Sequence, residues 1–304
     1  MFLHKININY IKDKISDVLR LILPAGIIKL ISYSLSKYNY HQDYHKYKGV
    51  LQKNIVFKNK NKGKRCFIIG NGPSLKEQDI SLLKKEITFA TNAFWKHPIL
   101  GKSWQPTYYC LADPLYFKKN ASDVDGCKTL KEFYGRLNDK INNCTFFVSI
   151  SGFELIQKND FIRKSKLYYF WLNDAYSNSE KYEIDLTSAI PAVQSVVQMA
   201  IEAAIYMSCN PIYLLGVDHN WLETPNISDS HFYDKKKNNS SSSISSGSTK
   251  SYYKNELESC LQLWQKYEKL LDLADKKGIK IYNATEGGFL DVFKRLRFED
   301  VVGK

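Results

Sequence analysis

Arg65-Cys-Phe-Ile-Ile-Gly-Asn-Gly-Pro-Ser-Leu-Lys-Glu77 is the stretch whose reading decides the fold. Cys66 to Ile69 is a short apolar, β-branched run, which reads as a buried strand. Gly70, Asn71, Gly72 and Pro73 break it at once, so the strand enters a tight turn. Ser74 with Glu77 three residues on has the spacing of a capping box, which predicts a helix starting here and running to about Lys85. A strand, a glycine turn and a helix start together predict an anion site, with backbone N–H groups converging on one spot that glycine lets a phosphate approach. The turn is neither Gly-x-Gly-x-x-Gly nor a Walker loop, and a βα turn with nothing bound remains the plainer reading.

Outward from this turn the chain alternates strand and helix signals. Ile87 to Thr91 reads as a strand ending at Asn92, and Thr107 to Ala112 as another ending at Asp113-Pro114. Lys128 to Lys140 and Phe153 to Lys164 read as helices, Cys144 to Ile150 and Leu167 to Trp171 as strands. Ile190 to Met207 reads as one long apolar helix with Pro191 in its first turn and Gln194, Ser195 and Gln198 as its polar members. Ile212-Tyr-Leu-Leu-Gly-Val-Asp218 follows as a buried strand. Tyr253 to Lys277 reads as a long striped helix, Ile279 to Tyr282 as the last strand, and Asn283-Ala-Thr-Glu-Gly-Gly288 as a second glycine turn. Repeated βα units predict an α/β fold, a Rossmann-like, mostly parallel sheet with helices on both faces. Open sheets of this kind bind ligands at the carboxyl ends of their strands. Gly70, Asn71, Gly72, Pro73, Ser74, Asn92, Asp113 and Asp218 fall there, and Gln194 and Ser195 of the apolar helix are either capped or face the ligand; together these are the candidates for holding a nucleotide.

His219-Asn220-Trp221 and His231-Phe-Tyr-Asp234 lead into a Lys/Asn/Ser/Gly stretch, Lys235 to Lys250. A long polar segment directly after a ligand-edge strand reads as a lid over about 219–252. Two histidines beside it make His231 and His219 the candidates for a general base.

The chain has 304 residues and a net charge of +13. Residues 1–64 hold 13 Lys/Arg against 3 Asp/Glu, so most of the excess precedes the first strand. That predicts a basic N-terminal arm over 1–64 on a near-neutral domain over 65–304, and excludes a nucleic-acid groove running across the fold. Ile15 to Ile31 is apolar but interrupted by Pro24 and Gly26, too broken to span a bilayer, and no signal-peptide cleavage site follows. The arm reads either as an amphipathic segment on an anionic membrane surface or as a helix packed on the domain or on a second copy, which leaves a homo-oligomer open. The six cysteines form no Cys-x-x-Cys pair and no zinc spacing, so buried free thiols in a reducing compartment and no metal are expected.

Ile-Ile-Gly-Asn-Gly-Pro-Ser-Leu-Lys from 68 to 76, Asn92 after its strand, and Ile-Tyr-Leu-Leu-Gly-Val-Asp from 212 to 218 resemble the bacterial sialyltransferases of glycosyltransferase family 42. They resemble equally the domain named after the archaeal 6-hydroxymethylpterin diphosphokinase, and Asn-Ala-Thr-Glu-Gly-Gly from 283 to 288 is closer to the latter. The resemblance covers roughly 65–295. The sialyltransferase likeness implies that Gly70, Asn71, Gly72, Ser74 and Asn92 hold the nucleotide of a CMP-sugar and that no metal or other cofactor is required. Asp113 stands where that family has Asn, and the Thr-Ser-Gly of the family is matched only loosely around Gln194 and Ser195. His219, Asn220 and Trp221 replace the family's tyrosines, and His231 is the nearest match to its catalytic His, with Tyr233 beside it as a phosphate-stabilising group. The expected enzyme is a glycosyltransferase moving sialic acid or another nonulosonic acid to a surface glycan or lipooligosaccharide acceptor, at the inner face of the bacterial cytoplasmic membrane. The competing expectations are a Mg²⁺-dependent diphosphokinase, with Asp113 and Asp218 on the metal, and a nucleotide-binding module without catalysis.

Overall fold

A computed structural model of the chain describes residues 27, 43–117, 124–163, 165–173, 183–220 and 252–303. The chain divides into two units, Met1–Lys48 and Gly49–Lys304. The boundary expected at Arg65 therefore falls earlier, and 49–64 belong to the second unit. The physical reason is visible in their contacts. The Asn54 Nδ2 group donates to the carbonyls of Tyr169 and Leu186 at 2.8 and 2.7 Å. The Phe57 ring packs edge-on against Tyr168 and Phe147, centroids 4.5 and 4.8 Å apart.

Among the described residues, nine strands form one sheet in the order β6-β5-β4-β3-β2-β1-β7-β8-β9. They are β1 Cys66–Ile69, β2 Ile87–Thr91, β3 Tyr108–Leu111, β4 Thr145–Ser149, β5 Lys166–Asn173, β6 Ala189–Pro191, β7 Ile212–Leu215, β8 Ile281–Asn283 and β9 Lys294–Arg295. Every neighbouring pair is parallel, with Ile69 level with Ala90 on one side and Leu215 on the other. After β1, five α-helices stand among the described residues: α1 Val124–Lys140, α2 Phe153–Asn159, α3 Val196–Tyr206, α4 Tyr252–Lys276 and α5 Phe298–Val302.

The strands read as continuous apolar runs because both faces are covered. Alternate residues of β1 divide between two cores: Cys66 and Ile68 face α3 and α4, while Phe67 and Ile69 face α1 and the short turns. All eleven residues of α3 are buried, which accounts for its apolar sequence. Its one central amide, Gln198, is satisfied inside: Nε2 donates to Leu263 O at 2.9 Å, and Oε1 accepts from Gln194 N at 2.9 Å.

Four local expectations are corrected. The helix expected from Ser74 is a 3₁₀ turn, Pro73–Lys76, followed by a second, Ile80–Leu83. No capping box forms, because both the Ser74 N–H and hydroxyl go to Asp218. The long helix expected from Ile190 begins instead with β6, and Pro191 lies in that strand, where an edge position tolerates its missing N–H. The helix from Phe153 stops at Asn159, whose side chain donates to Leu155 O, and Asp160 takes a left-handed conformation with φ 48°. The C-terminal stretch adds a ninth strand and a last helix to the fold.

Candidate active site at the carboxyl edge of the sheet

From β1 the chain steps outward through β2 to β6, then α3 carries it back beneath the sheet to β7, on the other side of β1. The β1–β2 connection lies on one face and α3 on the other. The gap between the carboxyl ends of β1 and β7 is thus the topological switch point, where a doubly wound sheet opens its ligand crevice.

The chain is fastened across this gap by a clasp of hydrogen bonds. The N–H groups of Gly70 and Gly72 donate to the carbonyls of Leu215 and Gly216, each at 2.8 Å. The Asp218 carboxylate accepts from the Ser74 N–H at 3.1 Å and from its hydroxyl at 2.9 Å. Burial holds the Asp218 carboxyl above its ordinary value, against the opposing pull of the Ser74 bonds. The approach requires glycine: a Cβ on Gly72 would stand 1.6 Å from Asp218 Oδ2, and one on Gly70 would stand 2.4 Å from Gly216 O. The N–H groups of Gly70, Gly72 and Ser74, expected to be free for a phosphate, are therefore bonded within the fold. The anion at the start of this turn is the protein's own carboxylate.

The second glycine turn braces the same place. The Thr285 hydroxyl accepts from Val217 N at 3.1 Å, and Phe289 N donates to Asp218 O at 2.7 Å. Asn283 closes the turn, its Nδ2 donating to Leu290 O and its Oδ1 accepting from Thr285 N. The Arg295 guanidinium donates to the carbonyls of Thr285, Gly287, Gly288 and Leu290. Sequence reading missed Thr285 and Arg295 as members of this assembly; the Thr within Asn-Ala-Thr-Glu-Gly-Gly was the one signal for it.

Beside the clasp lies a second group of side chains. Asn71 Nδ2 donates to Thr91 O at 3.0 Å, and its buried Oδ1 accepts no bond among the described residues. Asn92 stands at φ 38°, with its Oδ1 accepting from Ala112 N at 3.2 Å, so it ties the end of β2 to β3. Asp113 Oδ1 accepts from Leu115 N at 2.9 Å and starts the turn after β3. Ser195 caps α3 by accepting from Val197 N at 3.2 Å. Gln194 is exposed, and its Nε2 donates to Gln262 Oε1 of α4 at 2.8 Å.

His219 follows Asp218 at φ 51°, an uncommon conformation for a residue with a side chain. Its Nε2 lies 2.8 Å from the Tyr267 hydroxyl, and its ring is wedged between Trp264 and Tyr267, centroids 5.8 and 5.5 Å away. Desolvation pushes the imidazole down to about 4, so the ring is neutral at physiological pH. Tyr267 is fully buried, and burial holds its phenol well above the ordinary value. Sequence reading took Tyr267 as part of a core stripe and gave no sign of its contact with His219. His231 and Tyr233 lie outside the described residues, as does all of the expected lid except its first two residues and Tyr252.

The turns at 70–74, 91–93, 112–114, 149–152, 191–196 and 216–220 carry Asp113, Asp218 and His219 but no Lys or Arg. Asp113 and Asp218 follow β3 and β7, which stand three strand spacings apart, about 14 Å. They do not fit a single Mg²⁺ between them. No group of three or more metal-binding side chains occurs among the described residues, where Cys66, Cys110, Cys144 and Cys209 are buried free thiols. None of the described helices is long and apolar enough to cross a membrane.

No curated protein matches the chain by sequence. Among solved structures, it is similar to the sialyltransferase CstII from Campylobacter jejuni in complex with the substrate analogue cytidine-5'-monophosphate. There the identity is 21% over 77% of this chain and 85% of the other, with a TM-score of 0.43. It is also similar to the alpha-2,3-sialyltransferase from Campylobacter jejuni in apo form, at 17% identity over 78% of this chain and 80% of the other, with a TM-score of 0.37. The family model described as 6-hydroxymethylpterin diphosphokinase MptE-like matches residues 39–224, more than half of the sequence, and the chain belongs to that family.

Proposed function

We propose that this chain is a glycosyltransferase that takes a nonulosonic acid such as sialic acid from its CMP-linked form and transfers it to a glycan or glycolipid acceptor. The observation that carries the reading is the Asn71 side-chain Oδ1, beside the switch point at the ends of β1 and β2, buried and without a donor among the described residues. A buried acceptor left unpaired costs about 1–3 kcal/mol, and an N–H or O–H of a bound nucleotide satisfies it. The neutral, amide- and hydroxyl-rich turns around it suit a monophosphate-linked sugar, whose single phosphate needs no cationic clamp. The resemblance of Ile68–Lys76 to the sialyltransferase motif supports the same donor.

In this reading Asn71, Asn92 and Asp113 orient the nucleoside, and the α3 start at Gln194 and Ser195 meets the phosphate. The acceptor hydroxyl oxygen forms a bond to the anomeric carbon while the bond from that carbon to the phosphate oxygen breaks. The electron pair leaves with CMP, and the hydroxyl proton passes to a histidine. His219 is neutral at working pH and stands at the edge; His231 and Tyr233 are proposed from sequence to complete the acceptor side. The basic N-terminal arm is proposed to hold the enzyme at an anionic inner-membrane surface, near a lipid-linked acceptor.

Family membership favours a second reading, pyrophosphate transfer from a nucleoside triphosphate. The turns named above offer a triphosphate neither a cationic clamp nor a paired Mg²⁺ site. Thermal stabilisation against CMP, CDP, UDP, GDP and ATP, with and without Mg²⁺, separates the two. A shift with CMP that needs no metal is expected; a shift only with ATP or GTP plus Mg²⁺ would overturn the proposal.

A further inference from the structure

We infer that the outer face of segment 53–64 is a docking surface for an anionic lipid bilayer, built into the Gly49–Lys304 unit itself. The inference deepens the membrane part of the proposed function. It rests on that reading for the class of partner and moves the contact from the arm onto the folded domain.

The inner face of the segment is fixed. Leu51, Asn54, Phe57 and Asn61 are buried, so one residue in every three or four points inward. The N–H groups of Asn59, Asn61 and Gly63 donate to the carbonyls of Tyr206, Met207 and Ser208 at 3.0, 3.0 and 3.1 Å. Asn61 Nδ2 also donates to the Tyr108 hydroxyl at 3.3 Å. The outer face is therefore held in one shape before any partner arrives, and docking costs it little ordering entropy.

The outer face joins two chemistries. Ile55 and Val56 stand there 54% and 57% exposed. An adjacent β-branched apolar pair in water gains by entering an apolar phase. Around it Lys53, Lys58, Lys60, Lys62 and Lys64 are all exposed. Among the described residues no ion pair joins any of these five to a carboxylate. Lys60 Nζ lies 4.9 Å from the centre of the Phe57 ring, which holds that ammonium in place. Residues 44–76 contain no Asp or Glu. Apolar side chains ringed by cations complement a surface with negative headgroups outside and hydrocarbon beneath. An acidic protein or a nucleic acid would meet the lysines and leave Ile55 and Val56 in water.

The place of this face sets an orientation. Lys64 leads into the amino end of β1, and Asn59 to Gly63 follow the C-terminal end of α3. The patch thus stands toward the amino edge of the sheet, and the crevice at the carboxyl edge opens away from the bilayer. That suits an acceptor whose reacting sugar stands clear of the headgroups.

The test is sedimentation of the full chain with vesicles of phosphatidylcholine mixed with phosphatidylglycerol, against vesicles of phosphatidylcholine alone. Wild type should bind the mixed vesicles only, and about 0.5 M salt should release it. Ile55→Ser with Val56→Ser should weaken partitioning about tenfold. Lys58→Ser with Lys62→Ser should weaken it about twenty-fivefold, at about fivefold per lysine. Lys131→Ser with Lys158→Ser removes the same charge from exposed sites on α1 and α2 and should weaken it less than about threefold. All six positions are exposed, so each variant should melt like wild type. Patch variants that bind like wild type overturn the inference and leave the membrane contact to residues 1–48. An equal loss in the Lys131/Lys158 variant also overturns it, because net charge alone then explains the binding. No vesicle binding by wild type overturns both the inference and the membrane reading; retention on a soluble polyanion would then assign the lysines to a nucleic acid or an acidic protein.

Discussion

Two neighbouring parts of the carboxyl edge use similar side chains to opposite ends. Between β1 and β7, the N–H groups of Gly70 and Gly72 bond to Leu215 and Gly216, Ser74 bonds to Asp218, and Thr285 bonds to Val217 and Asn283, so these polar groups are satisfied inside the chain. Beside that part, between the ends of β1 and β2, Asn71 Oδ1 keeps an unpaired acceptor among the described residues, and after β7 His219 holds a neutral ring on a left-handed backbone against α4. The glycine motif that is loudest in the sequence builds a clasp. The chemistry stands beside it, on residues whose sequence context is ordinary. A motif can therefore mark the place of a site while its own atoms hold the fold.

The sharpest way to break this contrast is Gly72→Ala. Its Cβ would overlap the Asp218 carboxylate and crowd Gly216 O at 2.8 Å, and neither neighbour is a flexible chain end. Overpacking with loss of the clasp should cost about 3 kcal/mol in chemical denaturation. If the variant melts like wild type, the clasp is looser than described.

The next effect concerns His219. Its folded pKa of about 4 lies below the unfolded 6.5. The stability this neutral ring contributes is present above pH 6.5 and is lost as the pH falls through the folded value. Between pH 7 and pH 4 wild type should lose about 2–3 kcal/mol more than His219→Gln. Equal acid losses in the two proteins would place the ring in water.

Ser74→Ala should cost about 2 kcal/mol at pH 7, because a buried carboxylate loses a hydroxyl donor. Asp218 titrates above 3.8 in the fold, so its share of stability is present below 3.8 and is lost as the pH rises through the folded value. Removing the Ser74 donor lifts that value further, so the deficit should shrink on acidification. A pH-independent deficit would mean that packing, not charge, is what Ser74 provides.

The smallest stability effect belongs to Asp113→Asn, on the ligand side. The amide oxygen keeps the bond to Leu115 N, so stability should change by less than about 0.5 kcal/mol. Donor affinity should fall severalfold in calorimetry if Asp113 meets the nucleoside. An unchanged affinity would remove it from the site.

Much of the sheet was legible because its strands are buried on both faces. Cys66–Ile69 and Ile87–Thr91 are bounded as the apolar runs and their polar stops imply. What failed was settled by distant partners. Ser74 and Glu77 have capping spacing, but Asp218, 144 residues on, takes both Ser74 donors. Ile190 and Pro191 look like the start of a helix until β5 offers an edge to pair with. Residues 49–64 read as a basic appendage because lysines dominate the count, while Asn54 and Phe57 do the packing. Tyr267 sits in a helical stripe indistinguishable from core, and only its approach to His219 separates it from Leu263 and Leu270.

The most direct test of the proposed activity is release of CMP from a CMP-linked nonulosonic acid by the full-length chain in the presence of EDTA. The account predicts metal-independent CMP release above the spontaneous rate, diminished in His219→Gln. No release, together with AMP formed from ATP only when Mg²⁺ is supplied with a pterin alcohol, would contradict it and return the chain to the diphosphokinase chemistry of its family's description.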